Sequence, residues 1–362
     1  MTNPVRRALY AVILLCISSI IAQEKLSIQR IDVGKETYTV TDKIQFLDDL
    51  TGWATGGTED EIFKTDDGGK TWKIIKPVIK NLDDVAINTA WFVTKNKGFA
   101  TIVHTVPNLD DHLSINIYIP AIISTEDGGN SWKEVGGFTP EESYPGFSNN
   151  YLLFTDMYFY DELHGWALSM RKSIYVTKDG GKSWMRKYVG EYKNYFYKVR
   201  FSDPEHGWIT VGYDGILHTD NGGESWVVQK ATTNDVEYEG EFRDIFTIDN
   251  NNVWALSQRI YKTTDGGKNW NRIIPKGYED EDWWTSVKFI DAKRGWIGSL
   301  HNVLLYTKDG GLTWKNQFPE KGVSRDVGIS AIAIAGNKLF LSGNRYDILK
   351  EGWLVPGTFG VD

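Results

Sequence analysis

Most of the chain alternates apolar and polar residues in short runs, and glycine-, aspartate- or asparagine-rich turns interrupt them. "IQFLD" (44–48), "VRFSD" (199–203) and "VKFID" (287–291) are three such runs. A period of two places successive side chains on opposite faces, which is the pattern of a β-strand with one face buried. Each run is followed by a glycine–aromatic pair: Gly52-Trp53, Gly98-Phe99, Gly165-Trp166, Gly207-Trp208 and Gly295-Trp296, with Val253-Trp254 as a variant. A branched apolar residue comes next (Ile62, Ile122, Ile174, Ile216, Ile260, Leu304), and three residues after it a turn of the form Thr-x-Asp-Gly-Gly-x-Ser/Thr-Trp.

That turn occurs six times, at 65–72, 125–132, 177–184, 219–226, 263–270 and 307–314, and its closing tryptophans lie 60, 52, 42, 44 and 44 residues apart. One unit therefore reads as four short strands, and a repeat of that length in all-strand sequence predicts propeller blades. A worn seventh unit begins at "ISAIAIAGNKLFLSG" (329–343), where Ile348 fills the branched column and Glu351 stands in place of the threonine. The expectation is an all-β, seven-bladed propeller of four-stranded antiparallel blades. The N-terminal "LSIQRIDV" (26–33) would be the outermost strand of blade seven, leaving no open edge.

The turn itself explains its residues. Asp67, Asp127, Asp179, Asp265 and Asp309, with Asn221 in the fourth copy, supply a side-chain oxygen for turn amides. The paired glycines permit positive φ. Trp72, Trp132, Trp184, Trp226, Trp270 and Trp314 fold back over apolar surface. Each job is needed once per blade, whereas a site is needed once per protein, so these residues are expected to be structural.

The first 22 residues differ from the rest. Arg6 and Arg7 precede an apolar run from Ala8 to Ile17, then Ser18, Ser19 and a small residue at Ala22. This has the form of a cleavable secretory leader, and the run is too short to span a bilayer. Leu15 stands before Cys16 where a lipoprotein leader carries a small residue. The expected domains are a leader at 1–22 and the propeller at 23–362, exported to the periplasm or medium and without a transmembrane segment. Loss of Arg6 and Arg7 from a chain of net charge −8 leaves 38 basic and 48 acidic residues, and removes the single cysteine. An acidic chain without basic clusters does not fit nucleic acid, and without thiols it forms no disulfide. The six histidines lack metal-ligand spacing, and no cofactor or metal is expected.

Irregularity, and with it recognition, concentrates in the second-to-third-strand loops and the connections between blades, which share one face. These include 103–120, 136–151, 191–197, 234–243 and 277–284. Arg171, Arg259 and Arg345 occupy the second-to-third-strand loops of blades three, five and seven, with Tyr213-Asp214 and His301-Asn302 in blades four and six. Together with Trp283 and Trp284, which the repeat does not account for, they form the candidate binding set. The arginines suit a carboxylate or phosphate. No catalytic residue is assigned. Glu141, Glu142, Asp280, Glu281 and Asp282 are the acids that a two-carboxylate hydrolase would need, although adjacent acids in a loop more simply serve solvation.

The turn resembles the Asp-box, or bacterial neuraminidase repeat. The whole unit is most similar to the photosystem II stability/assembly factor family, in the wider WD40/YVTN-like group of propellers. That resemblance implies an exported, non-enzymatic assembly scaffold that captures a protein segment or glycan, here as a monomer. The alternative is a glycoside hydrolase: sialidases share the Asp-box, but the Phe-Arg-Ile-Pro segment that usually accompanies them is absent.

Overall fold

The computed structural model describes residues 43–55, 61–79, 85–106, 117–137, 154–169, 173–188, 195–213, 215–229, 241–278, 282–301, 303–317, 328–336 and 338–342, and the strands at 14–18, 26–31 and 358–359. Six sheets are four-stranded antiparallel blades built from consecutive strands, spanning 43–75, 86–137, 154–188, 196–229, 244–273 and 284–316. In blade three, Phe154–Phe159, Gly165–Ser169, Ser173–Thr177 and Met185–Tyr188 pair in that order. The innermost strands of all the sheets touch in cyclic order, and Ala331–Ala335 returns to Lys43–Phe46 of blade one.

Regularity ends at the last sheet. Its order is Ala331–Ala335, Lys338–Ser342, Leu14–Ser18, Leu26–Ile31, Thr358–Phe359, so it has five strands drawn from both chain ends. Seven equal blades are therefore not what the chain forms. Leu26–Ile31 takes the fourth place, but Leu14–Ser18, from the leader-like segment, holds the third. Removal of residues 1–22 would take that strand with it. Ile348 and Trp353 lie outside the described residues.

The blades are joined by aromatic layers. The second-strand aromatic of one blade stacks on the first-strand phenylalanine of the next, as in Trp53–Phe92 (4.0 Å, 8°), Phe99–Phe159 (4.5 Å, 13°) and Trp166–Phe201 (3.5 Å, 8°). The turn tryptophan of the second blade closes each joint edge-on: Trp132 at 6.1 Å and 80°, Trp184 at 5.7 Å and 89°, Trp226 at 6.1 Å and 83°. The second turn glycine fits beneath. A Cβ on Gly181, whose φ is +79°, would lie 2.2 Å from Cε1 of Phe99 in the preceding blade. Repetition of the turn follows from this: every copy seals a joint. Blade five departs from the rule because Thr247 replaces the phenylalanine, and there Trp208 Nε1 donates to Gln229 Oε1 at 3.2 Å.

Within the turn, Thr177 Oγ1 accepts the buried amide of Gly181 at 2.8 Å and donates to Asp179 Oδ1, also at 2.8 Å. Asp179 accepts the Ser183 hydroxyl at 2.6 Å and its amide at 3.0 Å. The same bonds recur in the other copies, and Asn221 keeps them by donating its Nδ2 to Ser225 Oγ at 2.8 Å. The Ser183 hydroxyl bond, against a smaller opposing effect of burial, lowers the Asp179 pKa to about 2. Asp179→Ala should therefore destabilise by about 1–3 kcal/mol through unpaired turn donors. Because the folded pKa lies below the unfolded value of 3.8, this contribution is present above pH 4 and fades as pH falls through 2. Equilibrium unfolding of both proteins at pH 7 and near pH 2 checks this, and the gap between them should close in acid.

The axis of the ring is a tunnel lined by polar positions of the inner strands. Asp156 lies behind its wall, wholly buried against the lining residues Lys43 and Arg200. It pairs with Lys43, accepts Arg200 Nη1 at 2.5 Å, and accepts the Val199 amide from the next blade at 3.0 Å. Lys43 Nζ also donates to Thr89 Oγ1 at 2.7 Å and to the Met157 carbonyl at 3.1 Å. Asp244 Oδ2 and Ser286 Oγ likewise accept the next blade's amides, Val287 N at 2.9 Å and Ile332 N at 3.0 Å. Burial alone would raise the Asp156 pKa, but the charges of Arg200 and Lys43 outweigh it and hold the carboxyl well below the usual range. Burial raises Asp244 against the weaker pull of Lys198 and Arg200.

Candidate functional site

Alternating strand direction puts first-to-second and third-to-fourth turns on one face, and the remaining connections on the other. On that second face, over blades four to six, the inter-blade connections are stitched to the loops and strand ends beside them. Phe242 N donates to Gly212 O at 2.9 Å, Arg243 N to Leu256 O at 2.9 Å, Asp282 N to Gln258 O at 3.2 Å and Leu300 N to Trp283 O at 2.9 Å. Backbone bonds of this kind turn loops into a rigid floor.

Side chains stand on that floor around a hollow of about 60 Å³ lined by Tyr213, Glu241, Arg243, Gln258, Trp283 and Trp284. Tyr213 is 53% exposed and Trp283 42%. The Arg243 guanidinium carbon stands 4.8 Å from the Trp283 ring centroid. Both Nε and Nη2 of Arg243 donate to Glu241 Oε2, at 3.1 and 2.8 Å. Glu241 Oε1 in turn accepts the Tyr197 hydroxyl, whose pKa is raised by burial and then by that carboxylate. His301 Nδ1 lies 2.6 Å from Asp282 Oδ1, which also accepts the Trp283 amide at 2.7 Å and so fixes the start of blade six. The arrangement offers two aromatic faces and a pre-oriented guanidinium to a chain lying across it.

Of the residues expected from sequence, Tyr213, Trp283 and Trp284 line the hollow, and His301 stands beside it through Asp282. Trp284 contributes little of that lining. It is 3% exposed in the core with Val287 and Leu305, because strand alternation sends it inward where Trp283 points outward. Arg259 is 5% exposed. Its loop is a tight turn, Ser257 N to Arg259 O at 2.8 Å, pinned under the following connection, so this arginine is not displayed to a partner. Arg171, Asp214 and Arg345 lie outside the described residues, as do Glu141, Glu142, Asp280 and Glu281. Asp282, expected as a solvated loop acid, is buried and engaged with His301. Arg243, Glu241 and Tyr197 escaped the sequence reading. The signals for them were the aromatic and charged runs at 191–197 and 234–243, which belong to the irregular face but single out no residue by sequence alone. Among the described residues no three His, Cys, Asp or Glu side chains group to hold a metal ion, and no helix is long and apolar enough to cross a membrane.

The family model for the photosynthesis system II assembly factor YCF48 matches residues 147–278. The photosystem II assembly lipoprotein Ycf48 of Picosynechococcus sp. is 42% identical over 126 residues, which is 33% of this chain and 36% of that protein. The chain is an Asp-box propeller resembling the YCF48 assembly factors. The matched stretch spans about a third of that curated relative. A solved YCF48 bound to D1 peptide superposes with a TM-score of 0.64 at 19% identity, covering 91% of this chain and 97% of that one. The GH74 xyloglucanase from Xanthomonas campestris superposes with a TM-score of 0.58 at 10% identity, covering 92% of this chain and 59% of the enzyme. At these identities both superpositions show the fold alone. The YCF48-like segment contains the Tyr213–Arg243 half of the hollow, and Trp283 lies just beyond it.

Proposed function

We propose that this YCF48-like propeller is an exported, non-enzymatic assembly factor, a closed ring of seven sectors that captures an extended protein segment on its loop-rich face. The observation that carries the reading is the exposed Trp283–Arg243–Tyr213 platform on a backbone-bonded floor. Exposed aromatics beside a guanidinium whose rotamer is already fixed are what peptide-binding hot spots are made of. The D1 peptide held by the structurally similar YCF48 supports a protein segment over a glycan. A hydrolase needs two free carboxylates flanking a sugar-sized cleft. Here the one acid lining the hollow, Glu241, is committed to Arg243 and Tyr197.

The test is a fluorescence titration of the whole chain with a D1 peptide and an array of unrelated extended peptides. Trp283→Ala should weaken capture tenfold or more, with melting unchanged because the ring packs on solvent and one guanidinium. Unaltered capture by Trp283→Ala would remove the platform from the account. Turnover of an aryl glycoside or sialoside would replace the scaffold reading with a hydrolase.

A further inference from the structure

The tunnel holds more positive charge than the fold uses. Around a cavity of about 250 Å³, Lys43, Lys198, Arg200 and Lys288 face only two carboxylates, Asp156 and Asp244. Asp156 is fully engaged by Lys43, Arg200 and the Val199 amide. Asp244 is occupied by the Val287 amide, and burial biases it toward its neutral form. Lys198 and Lys288 make no side-chain hydrogen bond or ion pair among the described residues. The Lys288 ammonium stands 5.1 Å from the centroid of the Phe246 ring, and its three donors aim at no acceptor there.

Packing does not require these cations. The equivalent inner-strand positions elsewhere in the ring are filled by uncharged residues as well, large ones at Trp91, Tyr158 and Phe246 and small ones at Ser286, Ala331 and Ala333. Lysines turned toward an enclosed space without counter-charges are costly unless something anionic enters. A single water needs roughly 10–15 Å³ of such space, so this cavity has room for a molecule of several non-hydrogen atoms.

We propose that the tunnel is a binding site for a small dianion, a tetrahedral oxyanion or a short dicarboxylate, held by Lys198 and Lys288 with the Lys43–Asp156–Arg200 cluster as its wall. The ligand's two charges match the formal excess, and this site is separate from the loop-face platform. Its proton chemistry follows. Lys43 faces Asp156, Lys198 and Arg200 as charged groups and Thr89 and Trp91 as uncharged ones. Lys288 faces Arg200 and Asp244, with Phe246 uncharged. Burial lowers Lys43 to about 7 and Lys288 to about 8. A bound dianion favours their protonated forms, so affinity falls as pH rises through that range.

The experiment is calorimetric titration and thermal melting of the full chain with sodium sulfate, sodium phosphate or sodium succinate, each against sodium chloride at equal ionic strength. One-to-one, saturable binding is expected for at least one of the three at pH 7. Preference for sulfate and phosphate identifies an oxyanion site, and preference for succinate a dicarboxylate site. Lys288→Met and Lys198→Met should each weaken binding tenfold or more, while Asp244→Asn should tighten it. In the unmutated chain, affinity for whichever of sulfate or succinate binds should fall at least tenfold between pH 6.5 and 9, a range over which neither probe changes charge. This arm does not depend on whether the variants fold. The absence of saturable binding by all three probes, or affinity that responds to neither lysine nor to pH, would overturn the proposal.

Discussion

Phe201→Ala is expected to lower stability by about 3–5 kcal/mol, the usual range for removing a buried phenylalanine. The ring is 1% exposed and sits where two blades meet, flat on Trp166 of blade three at 3.5 Å and edge-on to Trp226 of its own blade. Its removal leaves a cavity that neither tryptophan can refill, since each is tied in place: Trp166 Nε1 donates to the Gly222 carbonyl at 3.0 Å, and Trp226 packs in the same cluster. Because the lost contact lies between blades, the cost should appear in cooperative unfolding of the whole ring. Equilibrium urea unfolding measures it. A loss below about 1 kcal/mol would mean the joints are not what holds the blades together.

Asp156→Ala should be as damaging for a different reason. It removes one carboxylate and leaves Lys43 and Arg200 facing each other in the tunnel, with the Val199 amide unpaired. Breaking a buried pair from one side costs about 3–5 kcal/mol, well above the worth of the pair itself, because the orphaned charge stays buried. Adding Lys43→Met to the Asp156→Ala background should recover part of the loss by removing one of those charges. If the double variant is less stable than the single one, repulsion is not the cause. The contrast with Asp179→Ala is informative, since that aspartate is on the surface and its removal exposes amides to water.

Blade architecture was legible because it is written locally. The threonine, aspartate, paired glycines and tryptophan of each turn satisfy one another within eight residues, so spacing alone announces them. The platform was half legible. Trp283 stood out as an aromatic with no place in the repeat and Tyr213 as the filling of a second-to-third-strand loop, but their neighbour Arg243 is recognisable only once the ring brings blades five and six together. Local geometry decides the display of two others: one residue of strand alternation leaves Trp284 lining the hollow with little of its ring exposed, and a pinned three-residue loop buries Arg259. The tunnel left a trace that went unread. Gln45, Arg200 and Lys288 each precede the phenylalanine of an inner strand, polar where a buried strand should be apolar, but only the closed ring makes one cluster of them. The last sheet was foreseen in its first two strands and in Leu26–Ile31, but not in its third strand, Leu14–Ser18. A strand from inside a leader-like segment pairs with Lys338–Ser342, and pairing of that kind depends on edges far apart in sequence.

The central claim is that the repeated turns are architecture and the irregular face does the recognising. A photo-crosslinking amino acid placed at Tyr213 on one face, or at the exposed Lys178 in a turn on the other, tests it most directly with a captured D1 or array peptide. The account predicts crosslinks from position 213 and none from position 178. Crosslinks from 178 alone would contradict it.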